Sequence, residues 1–166
     1  DFNQFIDEKN VIIVGNLPFN ISTQLLFRWL EQEKWPPFYK KMLLMFQKEV
    51  AARIISKHNN KDYGRISVAA QARCQIKKIL IAPRKIFYPI PKVEGTVLEF
   101  KPSKKYKNLD FSKLQKILQL AFSKRRKKIK TNLKEYLHLL DQLNVDHNLR
   151  AENLTIEDYC KLVSKL

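Results

Sequence analysis

The segment Asn10–Val14 carries a continuous run of β-branched apolar residues that ends at Gly15. No polar residue alternates within the run, so it reads as a strand buried in a sheet that helices cover. The segments that follow fit that frame. Ser22 and Thr23 are suited to cap a helix running to about Gln32, with Leu25, Leu26, Trp29 and Leu30 along one side. Trp35-Pro36-Pro37 breaks it. Met42–Phe46 reads as a second buried strand, and Gln47–Lys57 as a helix with Val50, Ala51, Ile54 and Ile55 at helical spacing. After the polar loop His58–Gly64, Ile66–Ala72 reads as a helix and Ile76–Ile81 as a strand that stops before Pro83. Phe87-Tyr88-Pro89-Ile90-Pro91 is a rigid, extended segment, because each proline fixes its own φ and biases its predecessor. Val93–Phe100 is a last strand. The order strand–helix–strand–helix–strand–strand argues an α/β sheet.

Beyond Pro102 the pattern changes. Pro102–Asn108 is a basic linker, after which Leu114, Ile117, Leu118, Ala121 and Phe122 keep helical period and Thr131–Leu140 continues it. Thr155-Ile156-Glu157-Asp158 has the form of a capping box opening a last short helix. The expected organisation is a sheet domain over residues 1–101, a linker over 102–109 and an all-helical domain over 110–166.

Charge points to the partner. The chain of 166 residues has a net charge of +16, and it is unevenly spread. Residues 101–134 hold 13 basic residues and one acidic residue, whereas residues 135–166 hold 3 basic and 6 acidic ones. A basic block of this density suggests a polyanion-binding face, with nucleic acid as the preferred partner over a merely solvated surface. The longest apolar runs are far too short to span a bilayer, and the first residues lack a charged-then-apolar signal segment. Cys74 and Cys160 form no CxxC pair and have no His at metal spacing. They read as buried thiols in a reducing, cytoplasmic compartment, with no disulfide and no zinc expected.

The sharpest local feature is Gly15-Asn16-Leu17-Pro18-Phe19, directly after the first strand. Ligands of open α/β sheets sit beyond the carboxyl ends of strands, so chemistry is expected in this loop. In isolation Asn-Leu-Pro is equally a strand-ending turn. The match extends further, however. Asn16-Leu17-Pro18-Phe19 resembles the NLPY/F motif of the ribosomal RNA adenine dimethyltransferases. Gln47-Lys48-Glu49-Val50 follows the second strand as in that family, and Tyr63-Gly64-Arg65-Ile66-Ser67-Val68 resembles its YGRLSV segment. Phe87-Tyr88-Pro89-Ile90-Pro91-Lys92-Val93 resembles FxPxPKV, and Ala121-Phe122, Arg125-Arg126-Lys127 and Asn132-Leu133 together resemble AFxxRRKxxxxNL. Arg150-Ala151-Glu152-Asn153-Leu154 resembles a C-terminal RAENL. These ordered motifs span nearly the whole chain, and the bacterial small-subunit type fits them best.

The resemblance implies a partial Rossmann-like methyltransferase sheet followed by a small helical domain. The pair of terminal strands with no helix between them resembles the reversed edge of such a sheet. It also implies dimethylation of adenine N6 in small-subunit ribosomal RNA, S-adenosylmethionine as cofactor, and a monomeric enzyme that needs no metal. The residue types suit that reaction. The exocyclic amine of adenine is a poor nucleophile because its lone pair is delocalised into the ring. Two acceptors, the Asn16 side-chain oxygen and the Leu17 carbonyl, can hold its protons while Pro18 fixes the turn and Phe19 stacks the flipped base. Asn16 is also the one family cofactor contact that carries over. Phe87 has two readings: core packing beside the proline turn, or a second aromatic wall for the adenine, which is preferred. Tyr88 is then expected to pack. Arg125, Arg126, Lys127 and Lys128, within Lys124–Lys130, are expected on a helix face that contacts RNA. Arg65, Arg84 and Lys92 are weaker candidates, and the three histidines read as surface or packing residues.

One departure bears on function. The family opens with a glycine-rich strand–loop–helix for S-adenosylmethionine and acidic residues for its ribose and adenine. Gly15, Gly64 and Gly95 are too scattered to supply that turn, and Asp1 stands too close to Asn16 to serve as the adenine-contacting acid. The expectation is that residues 1–166 alone neither hold the cofactor tightly nor methylate RNA, and that the sheet bares an apolar face. Rival readings are a non-catalytic RNA-binding or ribosome-assembly module, the large-subunit ribosomal RNA adenine methyltransferases, and a DNA adenine methyltransferase.

Overall fold

The computed structural model describes residues 11–18 and 20–166. Four strands, β1 (Val11–Asn16), β2 (Tyr39–Gln47), β3 (Cys74–Ala82) and β4 (Gly95–Pro102), form one sheet in the order β1-β2-β4-β3. Helix α1 (Ser22–Leu30) connects β1 to β2, which run parallel. Helices α2 (Lys48–Ile55) and α3 (Arg65–Arg73) connect β2 to β3. The chain then returns as β4, which inserts antiparallel between β2 and β3. The expected strand pair thus closes this side of the mixed sheet, but only β4 is reversed: the edge strand β3 runs parallel to β1 and β2, and a 3-10 turn at Arg84–Ile86 lies between the two. Residues 83–94 join β3 to β4.

Alternation along the strands divides the sheet into two faces. Ile13, Met42, Leu44, Leu98 and Phe100 share the face that the helices cover, and the last four are fully buried. Ile12, Val14, Leu43 and Val97 share the other, where Ile12 and Val14 are exposed, Val14 by 74%. The expectation of a strand buried on both sides is thus corrected for β1. Its β-branched run is compatible with two-sided burial, but no described element lies over its second face. Ile12 and Val14 on that face thus have no cover from the described elements.

Two helix details also differ from the sequence reading. The residue before α1 is Ile21, and no side chain caps that helix; Ser22 is its first residue and is buried. Pro18 closes the preceding turn instead, its carbonyl accepting the Ile21 N–H at 3.1 Å. Further on, α4 (Phe111–Ala121) ends at Phe122, and residues 122–128 form a turn rather than more helix. Six cations within seven residues repel one another in a helix. The Asn132 side-chain amide donates to the carbonyls of Ala121 and Lys124, capping the helix end and holding the turn.

After the turn come α5 (Ile129–Asn132), α6 (Leu137–Gln142) and α7 (Ile156–Ser164). The helical reading of Thr131–Leu140 is interrupted by a 3-10 segment at Lys134–Tyr136. Thr155 caps α7 as expected, its Oγ accepting from the Asp158 N–H at 3.1 Å while Asp158 accepts from the Thr155 N–H at 2.8 Å. Among the described residues, strands end at Pro102 and no named strand follows, although Lys128 and Arg150 form an isolated antiparallel bridge.

The sheet and the later helices share one continuous buried core. Their junction is specific. The Arg73 guanidinium is buried between Trp35 (4.6 Å to the ring centre) and Phe111 (5.0 Å), and it donates to the Leu109 carbonyl at 3.2 Å. Trp35 in turn donates its indole N–H to the Ser103 carbonyl at 2.8 Å. Tyr63 meets Phe122 edge-on, Phe122 lies against Tyr159, and the Tyr159 hydroxyl donates to the Ala151 carbonyl at 2.8 Å.

Candidate functional site

Gly15 shapes the loop after β1. A Cβ there would lie 2.9 Å from a Leu17 methyl and 3.2 Å from one of Leu44, so the missing side chain leaves room for Leu17 to fold back onto β2. Leu17 is consequently buried and anchors the loop, while Asn16 and Pro18 on either side are exposed. The Asn16 amide has no side-chain hydrogen-bond partner among the described residues. Phe19 lies outside the described residues, so its expected stacking role has no structural counterpart here.

The parallel register sets Asn16 opposite Met45. The loop after Asn16, Met45 and the segment Phe87–Pro91 together line a cleft of about 230 Å³ at the carboxyl ends of β1 and β2. Two motifs some 70 residues apart therefore meet. Gly95 helps: a Cβ there would come within 2.7 Å of the Met45 sulfur, so its absence lets β4 approach β2 at the cleft floor. Lys48 ties down the same connection. Its backbone N–H donates to the Glu94 carbonyl at 3.0 Å and its ammonium to the Glu94 carboxylate at 2.7 Å. That hydrogen bond holds the Glu94 carboxyl below the usual carboxylate range. Arg84 closes the connection on itself by donating to the Lys92 carbonyl at 3.3 Å.

Phe87 is half-buried and lines the cleft rather than the core. Tyr88, expected to pack, is fully exposed at the cleft rim. The flanking extended residues project it away from the sheet, and no described element covers it. Met45 is a lining residue that sequence reasoning missed, because its position follows from strand register and not from any motif.

A second groove, of about 530 Å³, is lined by α1, α2, the loop and first residues of α3, and the turn after α4. Phe27 and Phe122 line it, with Arg53, Lys61, Arg65 and Arg125 around them. Arg125 donates to the Lys61 carbonyl. Arg126 and Lys127 are exposed on the same turn, and Lys128 reaches the Asn148 side chain at 3.0 Å. Arg53 and Lys61 were not anticipated: they are isolated basic residues in sequence and gather only through packing. The other motifs are structural. Ser67 of the YGR segment accepts from the Gly64 N–H and donates to the Arg53 carbonyl, at 2.9 and 2.6 Å. The RAENL segment docks on the loop at 59, with the Asn59 N–H donating to the Glu152 carbonyl at 2.8 Å and the Asn153 amide to the Asn59 side chain at 2.9 Å. His58 and His138 are exposed, and His147 sits 3.0 Å from Asp141.

Both cysteines are buried, and desolvation pushes each thiol up to about 12. No group of three or more His, Cys, Asp or Glu residues is arranged to hold a metal among the described residues. No helix among them is long and apolar enough to cross a membrane.

Comparison with known proteins bears directly on this arrangement. The family model for ribosomal RNA adenine dimethylase matches residues 1–166. The chain belongs to the ribosomal RNA adenine dimethylase family. It is 42% identical over 154 residues to ribosomal RNA small subunit methyltransferase A of Brucella abortus biovar 1 (strain 9-941), covering 92% of this chain and 56% of that protein. It is 38% identical over 168 residues to the protein of the same name from Rhizobium etli (strain CIAT 652), covering all of this chain and 61% of the relative. The chain thus spans about three fifths of the length of its curated relatives. Its fold is similar to a dimethyladenosine transferase from Plasmodium falciparum, at TM-score 0.83 and 23% identity over 93% of this chain and 66% of the other. It is also similar to the 23S rRNA methyltransferase ErmE, at TM-score 0.64 and 19% identity over 100% of this chain and 69% of the other.

Proposed function

We propose that, in the full-length protein, this chain forms the adenine-binding side of a cytoplasmic S-adenosylmethionine-dependent dimethyltransferase acting on adenine N6 of small-subunit ribosomal RNA. The observation that carries the reading is the convergence of two remote segments on one cleft beside an exposed Asn16 amide that has no side-chain hydrogen-bond partner among the described residues. S-adenosylmethionine supplies an electrophilic methyl group on a sulfonium. Asn16 suits an edge contact with it, but no glycine-rich turn for its ribose and methionine ends occurs among the described residues.

The chain's own part is positioning. The target adenine leaves its helix and lies against Phe87, with Phe19 as the second wall by resemblance. The Asn16 side-chain oxygen and the Leu17 carbonyl accept the two amine protons, which turns the nitrogen lone pair out of conjugation. Pro18 keeps that carbonyl in place through the turn to Ile21. One N–H remains after a first methylation, so the same loop can hold the amine for a second. The proton lost each time leaves a positively charged nitrogen, and no strong base is required. Residues 110–166 act as the RNA-binding part, with Arg125, Arg126, Lys127 and Lys128 on phosphate across the groove that Arg53, Lys61 and Arg65 share.

The test is single-turnover transfer of labelled methyl from S-adenosylmethionine to small ribosomal subunits by the full-length protein. Label in N6,N6-dimethyladenosine is expected, and its absence at saturating cofactor would overturn the reading.

A further inference from the structure

The cleft at Asn16 lies at the carboxyl end of β2, and a separate cationic surface lies at the other end of the sheet. There Lys40, Lys101 and Lys104 rim a cleft of about 580 Å³ beside Ile12 and Gln75. Lys104 also belongs to a neighbouring cleft of about 530 Å³, where Lys107 and Lys113 stand over Tyr106 and Cys160. The two clefts make one belt that wraps from the start of β2 past the end of β4 to α4 and α7.

The neighbouring carboxylates among the described residues are already engaged. Glu99 pairs with Lys41 at 3.1 Å and Lys101 at 3.3 Å. Glu157 pairs with Lys161 at 2.9 Å and Lys105 at 3.9 Å. Asp110 caps α4 by accepting the Lys113 N–H at 2.9 Å. Lys40, Lys104, Lys107 and Lys113 are exposed and have no carboxylate partner among the described residues. Their mutual repulsion is relieved when phosphates replace the counterions around them.

We propose that this belt binds the phosphate backbone of a second segment of the same RNA, remote from the nucleotide being modified. The inference rests on the RNA-modifying reading above. Asn16 stands opposite Met45, five residues along β2 from Lys40, so even the near edge of the belt is roughly 17 Å from Asn16, beyond direct contact with the flipped base. Composition separates it from the groove at Arg125. The groove carries arginines beside aromatic rings, whereas every cation of the belt is a lysine. Lysine is a compact point charge that holds phosphate without demanding the fork geometry of arginine. The belt therefore orients a long RNA without reading its bases.

The experiment replaces Lys40, Lys104, Lys107 and Lys113 by Gln in the full-length protein. Binding is measured against salt for intact small-subunit ribosomal RNA and for a short hairpin holding only the target adenines. On the intact RNA, the slope of log affinity against log salt should fall by about 2 to 4, close to one per lost phosphate contact. KM should rise about tenfold or more with kcat unchanged, and the hairpin should bind as before. The matching Lys→Arg variant should keep the parent slope, which separates loss of charge from loss of fold. An unchanged slope on intact RNA overturns the proposal, and so does an equal loss on the hairpin. A loss confined to assembled subunits, with naked RNA unaffected, overturns it in favour of an acidic protein surface. Parent protein that transfers no methyl group, while the slopes behave as stated, sinks the enzymatic reading and leaves the belt standing.

Discussion

At the carboxyl end of β1, Asn16 and Pro18 are exposed and Tyr88 is wholly in solvent. At the junction of α3 with α4 and α7, the motif residues Tyr63, Ser67, Ala121, Leu133, Ala151 and Leu154 are buried. Both regions carry the family resemblance, yet for opposite reasons. The first leaves the Asn16 amide without a side-chain partner among the described residues, which suits a ligand that partners it. In the second, several motif side chains bond to the protein itself, Ser67 to Arg53, the Asn132 amide N–H to Ala121 and Lys124, and Asn153 to Asn59, while the Tyr63 hydroxyl and the Asn132 side-chain oxygen are buried without a partner among the described residues. A motif residue in the cleft should therefore affect turnover without affecting stability, and one in the junction the reverse.

The strongest separation is expected from Tyr159→Ala in the full-length protein. Tyr159 is fully buried against Phe122, so its loss should cost about 4 kcal/mol of stability through lost burial and the cavity left behind. Thermal and denaturant unfolding measure it. A cost below about 1 kcal/mol would mean that the junction is not the packed unit described. Asn16→Ala should do the opposite, lowering single-turnover methyl transfer by about 10²-fold with the melting temperature unchanged. Near-normal rates would remove the amide from the proposed chemistry.

Smaller effects sharpen the contrast. Replacing Arg125, Arg126 and Lys127 by Ala should reduce the salt slope of RNA binding by about 1 per lost phosphate contact. Stability should hardly move, because the three are exposed. An identical slope would show that this turn faces away from RNA.

The buried thiols give a pH dependence. Free thiols titrate near about 8.5, whereas Cys74 and Cys160 are pushed up to about 12 when folded. A raised folded value means that the native state keeps protons the unfolded chain has released. The stability linked to them is full below about pH 8.5 and is lost as pH rises toward 12. At pH 8 the native protein should resist iodoacetamide at both positions and react at both once unfolded, as peptide mass spectrometry can read. Rapid native alkylation at Cys160 would argue that α7 opens. The smallest effect, about 1 kcal/mol, is expected from Thr155→Ala through loss of the α7 cap.

The sequence by itself determined the order and type of nearly every element, because hydrophobic period and proline placement are local properties of the chain. It also singled out the Asn16 loop and the basic block, since strand-ending turns and charge runs are written contiguously. Tertiary structure alone decided what those pieces meet. Met45 enters the cleft through parallel register with Asn16, and Arg53 and Lys61 join Arg125 only once α2 and α4 are packed. The Val11–Val14 run looked two-sided because β-branched residues suit either burial state, and only the packing shows that one face is covered. The cations at 124–128 were expected on a helix face, but the packed chain holds them in a turn that the Asn132 amide secures. Local pattern sets what a segment can become, and the contacts available to it in three dimensions select among those outcomes.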